Sequence, residues 1–284
     1  MSILRRTALP PSQSFSYEGR RIAYREYGAG PRTIVLTHGL LMDNRMYTAL
    51  APMLAERGHR VITPDMLGHG DSDKPHDMTA YSMTQFGRDL GALLEHLRAD
   101  EAVIGGTSLG ANVALELACA MPDRVRALVL EMPVLERGIT AAGAVFVPLA
   151  LALRLNQRGM GFIAAITKHI PRTHFLIDLI IDFARRDPAA SLAVLDGLTF
   201  GRIAPPVDER RRLLHPALVI GHPSDPVHPF GDADTTARDL AGARLLTARS
   251  IYEWRLAPRR LNDELCAFLD EVWTAPHVAR SDVH

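Results

Sequence analysis

Short apolar runs rich in β-branched residues alternate with amphipathic segments along the first half of the chain. Helices are predicted where apolar residues recur every three or four positions, as Phe86, Leu90 and Leu94 do. Residues 46–57, 84–98 and 109–121 form such segments. Short runs bounded by glycine or proline predict strands at residues 15–17, 22–27, 33–37, 61–63, 102–104 and 125–130. This alternation is typical of an α/β protein.

The pattern changes between residues 134 and 206, where only helical periodicity and glycine or proline breaks occur. After this segment, strands are predicted again at 217–220 and 243–247, with helices at 234–240 and 259–273. Strands that alternate with helices on both sides of a break indicate a mostly parallel sheet with a helical insertion. The sequence therefore predicts a core of residues 1–133 and 207–284, and a helical cap of residues 134–206.

The strongest chemical signal is the segment Gly106-Thr107-Ser108-Leu109-Gly110, between a predicted strand and a predicted helix. A G-x-S-x-G sequence in this context is typical of a nucleophile elbow, which exposes its serine on a sharp turn. The glycines on either side fit a turn too tight for side chains. Ser108 is therefore the candidate nucleophile. The alternative is a glycine-rich turn with a passive serine.

A second signal is His38-Gly39-Leu40, directly after the predicted strand 33–37. A loop at this place can offer a backbone N–H to a developing oxyanion, and we expect the N–H groups of Leu40 and Leu109 to be the two donors. His38 is expected to fix the loop by hydrogen bonds. The same structural role is expected for Asp65 and His69 in the glycine-rich turn that follows the next strand.

These motifs together resemble the α/β-hydrolase superfamily over about residues 14–275. HG after the third strand, PDMLGHGDSDKP after the fourth, GTSLG after the fifth and VIGHPSDPVHP after the seventh match its pattern in order and spacing. The resemblance implies an eight-stranded sheet flanked by helices, with a helical cap over the site. It also implies that Ser108 is the nucleophile and Asp225 the acid, with an oxyanion hole formed by Leu40 and Leu109.

The histidine of the superfamily is missing from its usual place between the last strand and the last helix. Ile251 stands in that position, and residues 248–258 contain no histidine. His228 follows Asp225 by three residues in a loop that two prolines restrict, so the carboxylate can orient the imidazole. We therefore expect a rearranged triad of Ser108, His228 and Asp225.

Other assignments of the base and the acid stay open. A histidine elsewhere, a carboxylate base or an orienting acid after the sixth strand would each change the triad. The candidates are His222, His169, His174, Glu253 as a base and Glu131 as the acid. A further alternative is that the pocket persists while the hydrolytic residues no longer function.

Composition narrows the class of function. The 32 basic and 32 acidic residues leave no net charge, which argues against general binding of nucleic acid or anionic membranes. Cys119 and Cys266 cannot form a disulfide framework, which favours a reducing, cytoplasmic location. The twelve histidines show no zinc-ligand spacing and no phosphate-binding loop occurs, so we expect no metal and no cofactor.

The predicted cap is rich in Ala, Leu, Ile and Phe, which indicates an apolar pocket for a small apolar substrate. Its longest apolar stretch, 141–153, contains Pro148 and falls short of the roughly 20 residues that a membrane span needs. We expect a cofactor-independent serine hydrolase that cleaves an apolar ester through an acyl-serine intermediate. Cleavage of C–C bonds and acyl transfer would use the same residues. The alternative is a catalytically impaired protein that binds a hydrophobic small molecule. The sequence also leaves open whether the chain forms a homodimer.

Overall fold

The computed structural model describes residues 9–155 and 186–275, together with Gly159, Phe162, Ile166 and Thr167. Eight strands form one sheet in the order β1-β2-β4-β3-β5-β6-β7-β8. β1 and β2, and β2 and β4, pair antiparallel, and all other neighbours pair parallel. The predicted fold class, a mostly parallel eight-stranded sheet flanked by helices, is confirmed. The strands are β1 (Gln13–Tyr17), β2 (Arg20–Tyr27), β3 (Arg32–Thr37), β4 (His59–Pro64), β5 (Ala102–Thr107), β6 (Val125–Glu131), β7 (Pro216–Gly221) and β8 (Gly242–Thr247).

Helices cover both faces of the sheet. On one face α2 and α3 pack through side chains such as Phe86 and Leu115, and on the other face α1 and α9 pack through Leu54 and Phe268. β5 is buried at every position because both of its faces are covered. The described α-helices are α1 (Leu50–Glu56), α2 (Met83–His96), α3 (Leu109–Ala120), α4 (Glu136–Leu155), α5 (Pro188–Thr199), α6 (Val207–Arg210), α7 (Phe230–Asp239), α8 (Glu253–Leu256) and α9 (Arg259–Thr274).

Two helices differ from the sequence prediction. The segment predicted as one helix over 46–57 is a 3-10 turn at Asn44–Tyr47 followed by α1. Pro52 explains the break, because proline is tolerated in the first turn of a helix but not in its interior. α7 begins at Phe230, four residues earlier than predicted, and its buried face includes the polar residues Asp232 and Asp239. That face lacks the apolar periodicity on which the prediction depended.

The predicted interruption of the apolar stretch at Pro148 is wrong. α4 continues through Pro148 and, with flanking residues at both ends, is 20 residues long. By length and composition alone it could span a membrane, with a mean hydropathy of 1.8 over its most apolar window. The expectation that no segment is long enough therefore does not hold for α4. In this fold one face of α4 lines a cavity.

The insertion between β6 and β7 contributes α4 and α5, and its described residues contain no strand. The two helices pack against each other, and Leu40 and Leu41 after β3 pack with them. The limits of the predicted cap, 134–206, stay a prediction because much of 156–185 lies outside the described residues. His169 and His174 also lie outside them. The carboxyl ends of β5, β6 and β7, which are neighbours in the sheet, face the site described next.

Candidate active site

Ser108 stands on a sharp turn between β5 and α3. Its backbone has φ 55° and ψ −113°, a left-handed conformation that a residue with a side chain adopts only at a cost. A Cβ on Gly106 would lie 2.3 Å from the carbonyl carbon of Gly110, and one on Gly110 would lie 2.1 Å from the oxygen of Thr37. Both positions therefore require glycine, and Gly110 packs against Thr37 at the end of β3.

The structure brings Ser108, His228 and Asp225 together. His228 Nε2 lies 2.8 Å from Ser108 Oγ, and His228 Nδ1 lies 3.0 Å from Asp225 Oδ2. Because an ionised carboxylate only accepts hydrogen bonds, Nδ1 must carry the proton in this contact. In the neutral ring Nε2 is then the acceptor for the Ser108 hydroxyl. This is the tautomer that a general base beside a serine needs.

Asp225 also fixes the loop that carries His228. Its Oδ1 accepts the backbone N–H groups of Val227 and His228, at 2.8 and 2.9 Å. Burial raises the pKa of the Asp225 carboxyl, but the hydrogen bonds and charge of His228 outweigh burial and bring the pKa below its usual value. The carboxylate is therefore ionised at neutral pH and can stabilise an imidazolium.

The other described candidates for base and acid lie in different networks. Glu253 binds Arg260 through both carboxylate oxygens, each at 2.8 Å. Its carboxylate also accepts the N–H of Arg249. Glu131 and His222 contact each other at 3.3 Å, away from the Ser108 hydroxyl. Ile251 lies in the connection between β8 and α8, as the sequence indicates.

Behind the elbow lies a buried ionic cluster, formed by Glu131, Arg255, His222 and Thr107, that the sequence analysis did not identify. An Arg255 guanidinium nitrogen lies 2.7 Å from Glu131 Oε2, and the Thr107 hydroxyl donates to the same oxygen at 2.5 Å. The backbone N–H of Ser108 donates to the Glu131 carbonyl at 2.8 Å. The cluster therefore braces the turn that holds the candidate nucleophile.

Electrostatics of the buried ionic cluster keep Glu131 charged. Burial raises the pKa of Glu131, but the charge of Arg255 and the contact with His222 outweigh burial and lower the pKa to about 2. His222 Nδ1 donates to the Ser250 carbonyl at 3.0 Å, which ties the connection after β8 to the end of β7. No local motif could reveal this cluster, because its members come from the ends of four separate elements.

His38, His69 and Asp65 have the structural roles expected from the sequence. His38 Nε2 accepts the N–H of Met66 at 3.0 Å, and His69 Nε2 accepts the N–H of Leu41 at 3.2 Å. Asp65 accepts hydrogen bonds from Asn44 at 2.7 and 2.8 Å. Burial lowers the pKa of His38 to about 4, so its ring is neutral near pH 7.

A cavity of about 560 Å³ opens in front of Ser108. Its described lining is mostly apolar and comes from the loop after β3, from α3, from α4 and from α5. Leu40 and Leu109 both line it beside Ser108 and His228. Their role as oxyanion donors stays a prediction. Among the described residues, no group of three or more His, Cys, Asp or Glu side chains could hold a metal ion.

Comparison with known proteins finds similarity over part of the chain. Residues 32–149 match the family described as alpha/beta hydrolase fold. Over 167 residues the chain is 34% identical to the uncharacterized protein Rv2715 of Mycobacterium tuberculosis, covering 58% of this chain and 45% of that protein. The chain thus spans less than half the length of this relative.

Solved structures agree on the architecture. A hydrolase from Pseudomonas aeruginosa superimposes with a TM-score of 0.75 at 22% identity, covering 91% of this chain and 98% of the other. The enol-lactonase from Burkholderia xenovorans gives 0.74 at 23% identity, with coverages of 91% and 100%. At these identities the likeness concerns the fold. Together with the matched segment, it shows that this chain has the α/β-hydrolase fold.

Proposed function

We propose that this protein is a cofactor-independent serine hydrolase that cleaves an apolar ester. The observation that carries the proposal is the pair of contacts from His228, 2.8 Å to Ser108 Oγ and 3.0 Å to Asp225 Oδ2. Both lie within the range expected of a nucleophile and its general base. The apolar cavity in front of Ser108 suits an apolar acyl or alcohol group.

The reaction begins when the Ser108 hydroxyl attacks the ester carbonyl and His228 Nε2 takes its proton. Asp225 stabilises the imidazolium that forms, and the N–H groups of Leu40 and Leu109 donate to the oxyanion. The imidazolium then protonates the leaving alcohol, which departs and leaves an acyl-Ser108 ester. A water molecule gives its proton to His228 and attacks the acyl group, and the carboxylic acid is released as Ser108 regains its proton.

In this proposal acid and base share one loop. Pro226 directly follows Asp225 and Pro229 directly follows His228, so a proline restricts the backbone beside each of the two residues, and α7 begins immediately after Pro229. The carboxylate accepts two N–H groups of its own loop, which fixes it before substrate binds. In this proposal His228, held in a short and restrained loop, takes the role of the histidine that the superfamily places after the last strand.

A fluorophosphonate probe followed by intact-mass measurement tests the proposal. The probe should add once to the wild type and not to Ser108→Ala. His228→Ala should slow labelling and ester hydrolysis by roughly 10³-fold or more, because the serine loses its base. The matched control is His76→Ala, since His76 pairs with Asp187 at 3.0 Å on the surface and should leave both rates unchanged.

Two outcomes would contradict the proposal. Equal labelling of the wild type and His228→Ala would show that His228 does not activate Ser108. No labelling of the wild type at neutral pH would favour a protein that only binds a hydrophobic molecule.

A further inference from the structure

Ser108 and His228 meet although the strands before them are not neighbours in the sheet. Ser108 follows β5 and His228 follows β7, and β6 lies between these two strands. The 2.8 Å contact between Ser108 Oγ and His228 Nε2 therefore depends on what holds the two sides at a fixed separation. Residues 134–138, which lead from β6 into the first turn of α4, contact both sides. We call them the bridging segment.

On the side of Ser108 the bridging segment is bound by Asn112. This residue lies one turn after Ser108, and its backbone N–H donates to the Ser108 carbonyl at 3.1 Å. The buried Asn112 side chain accepts the N–H of Val134 at 3.0 Å and donates to the Val134 carbonyl at 2.7 Å. Two hydrogen bonds to one residue fix both the position and the orientation of Val134 relative to α3.

On the side of His228 the bridging segment is bound by Asp232. The backbone N–H of Asp232 donates at 2.9 Å to the carbonyl of Pro229, the residue after His228. Its buried side-chain Oδ2 accepts the N–H groups of Leu135 and Gly138, both at 2.7 Å. Because N–H groups at the start of a helix have no partner within the helix, Asp232 supplies one from α7.

The approach of α4 to Asp232 requires a glycine. A Cβ on Gly138 would lie 2.8 Å from Asp232 Oδ2 and 2.7 Å from Val134 Cγ1. Both distances are well below the roughly 3.5–4.0 Å at which non-bonded carbon atoms pack best. A side chain at this position would therefore push the bridging segment away from α7.

We propose that Asn112 and Asp232 are positioning residues that hold the bridging segment between them and so set the separation of Ser108 Oγ and His228 Nε2. Each follows one of these two residues by four positions. The effect on the reaction rests on the proposed function, whereas the hydrogen bonds of the bridging segment stand without it. A misplacement of about 1 Å between reacting groups can slow a reaction by roughly 100-fold.

The rate of labelling by the fluorophosphonate probe tests the role of Asp232. Asp232→Ala removes the acceptor of both N–H groups and should slow the labelling of Ser108 by roughly 10- to 100-fold. Asp232→Asn keeps one oxygen that can accept both N–H groups, so its rate should stay within about threefold of the wild type. The end of β6 keeps its backbone hydrogen bonds to Ser108 and Ile220, so the sheet should stay folded in both variants.

Asp239→Ala is the matched control, because Asp239 is a buried carboxyl group of the same helix, two turns after Asp232, that pairs with Arg210 at 2.6 Å. Its loss should lower the free energy of unfolding and leave the labelling rate unchanged. A residue that only stabilised the fold would behave in the same way. Equal labelling rates in Asp232→Ala and Asp239→Ala would therefore overturn the proposal.

Gly138→Ala tests the bridging segment with Asp232 in place, and it decides the question if Asp232→Ala does not fold. The added Cβ should slow labelling by about tenfold or more. Gly201→Ala is its control, because a Cβ there would have no neighbour closer than 3.7 Å. An unchanged rate in Gly138→Ala would overturn the proposal.

A double variant tests whether Asn112 and Asp232 act through the same segment. Asn112→Ala should also slow labelling, and Asn112→Ala/Asp232→Ala should be slowed by less than the product of the two single effects. A loss equal to that product would show that the two residues act separately, which contradicts a shared bridging segment.

Crystal structures of the variants separate this proposal from the proposed function. The distance from Ser108 Oγ to His228 Nε2 should stay near 2.8 Å in Asp232→Asn and exceed about 3.2 Å, the limit of hydrogen-bond reach, in Asp232→Ala. If the wild type is not labelled but the distance lengthens only in Asp232→Ala, only the proposed function fails. If labelling needs His228 but rate and distance are the same in the wild type and both variants, only the positioning role fails.

Discussion

Replacing Arg255 by methionine should reveal how strongly the buried ionic cluster stabilises the fold. The Glu131 side chain is only 2% exposed, and Arg255, at 2.7 Å and 13% exposed, is its main source of positive charge. Arg255→Met keeps an unbranched side chain and removes the charge. Glu131 would then remain buried with the Thr107 hydroxyl and the more distant His222 as partners.

The pKa of Glu131 sets the expected magnitude. A shift from 4.5 to about 2 corresponds to about 3 kcal/mol of stability at neutral pH. This contribution is fully present above pH 4.5 and is lost as the pH falls toward 2. Removing one partner of a buried ion pair costs roughly 3–5 kcal/mol, because the remaining charge is left uncompensated. We therefore expect Arg255→Met to lower the free energy of unfolding by about 3 kcal/mol or more at pH 7.

The sign of the pH dependence is also specified. Without Arg255, burial becomes the dominant influence and raises the pKa of Glu131 above its unfolded value. The folded variant then binds a proton more readily than the unfolded chain, so its stability rises as the pH falls from 7 toward 5. The Glu131 contribution in the wild type stays constant over this range. The difference in the free energy of unfolding between the wild type and Arg255→Met should therefore become smaller as the pH falls from 7 toward 5.

Urea denaturation followed by far-UV circular dichroism at pH 7.5 and pH 5.5 measures both effects. Arg244→Met is the matched control, because Arg244 pairs with Glu271 at the same 2.7 Å, with side chains 54% and 61% exposed. That loss should cost less than about 1 kcal/mol. The double variant Glu131→Gln/Arg255→Met should have a free energy of unfolding at least about 1 kcal/mol higher than that of Arg255→Met, because no unpaired charge is left buried. Equal losses in Arg255→Met and Arg244→Met, at both pH values, would refute the reasoning.

Two further predictions concern the loops around the site. Asn112→Ala removes two buried hydrogen bonds to the backbone of Val134 and a partly buried one to the Ile203 carbonyl. Leaving the Val134 groups unpaired should lower the free energy of unfolding by roughly 2–4 kcal/mol in urea denaturation. A loss below about 0.5 kcal/mol would contradict this. The pKa of His38 is lowered to about 4, so its stabilising contribution is full above pH 6.5 and is lost as the pH falls toward 4. The stability difference between wild type and His38→Gln should shrink over that range by up to about 3 kcal/mol, and a difference independent of pH would contradict the assignment.

The sequence could predict those parts of the fold and site that depend on local signals. The parallel sheet follows from alternating apolar runs, and the elbow at Ser108 follows from two glycines between a strand and a helix. The position of His228 could be predicted because the acid loop contains an imidazole three residues after Asp225 and the usual histidine is absent. The catalytic roles of these three residues stay predictions that the labelling experiment tests.

Other features could not be predicted because their cause is tertiary. Asp232 and Asp239 are buried in α7. Asp232 accepts the N–H groups of Leu135, just before α4, and Gly138, within α4, and Asp239 pairs with Arg210 at 2.6 Å. A pattern that treats aspartate as exposed therefore places the start of this helix too late. The pairing of Glu131 with Arg255 likewise joins residues 124 positions apart in the chain, without a spacing that sequence periodicity can detect.

The short turn from Asp225 to His228 has a consequence for the rest of the chain. If the general base and its orienting acid both lie in that turn, the segment between β8 and α9 has a structural role and not a catalytic one, because its Arg255 binds Glu131 behind the elbow. Changes in that segment should then alter how firmly the nucleophile is held, while leaving the identity of the proton carrier untouched. In this chain the segment that follows β8 therefore supports the nucleophile turn through Arg255.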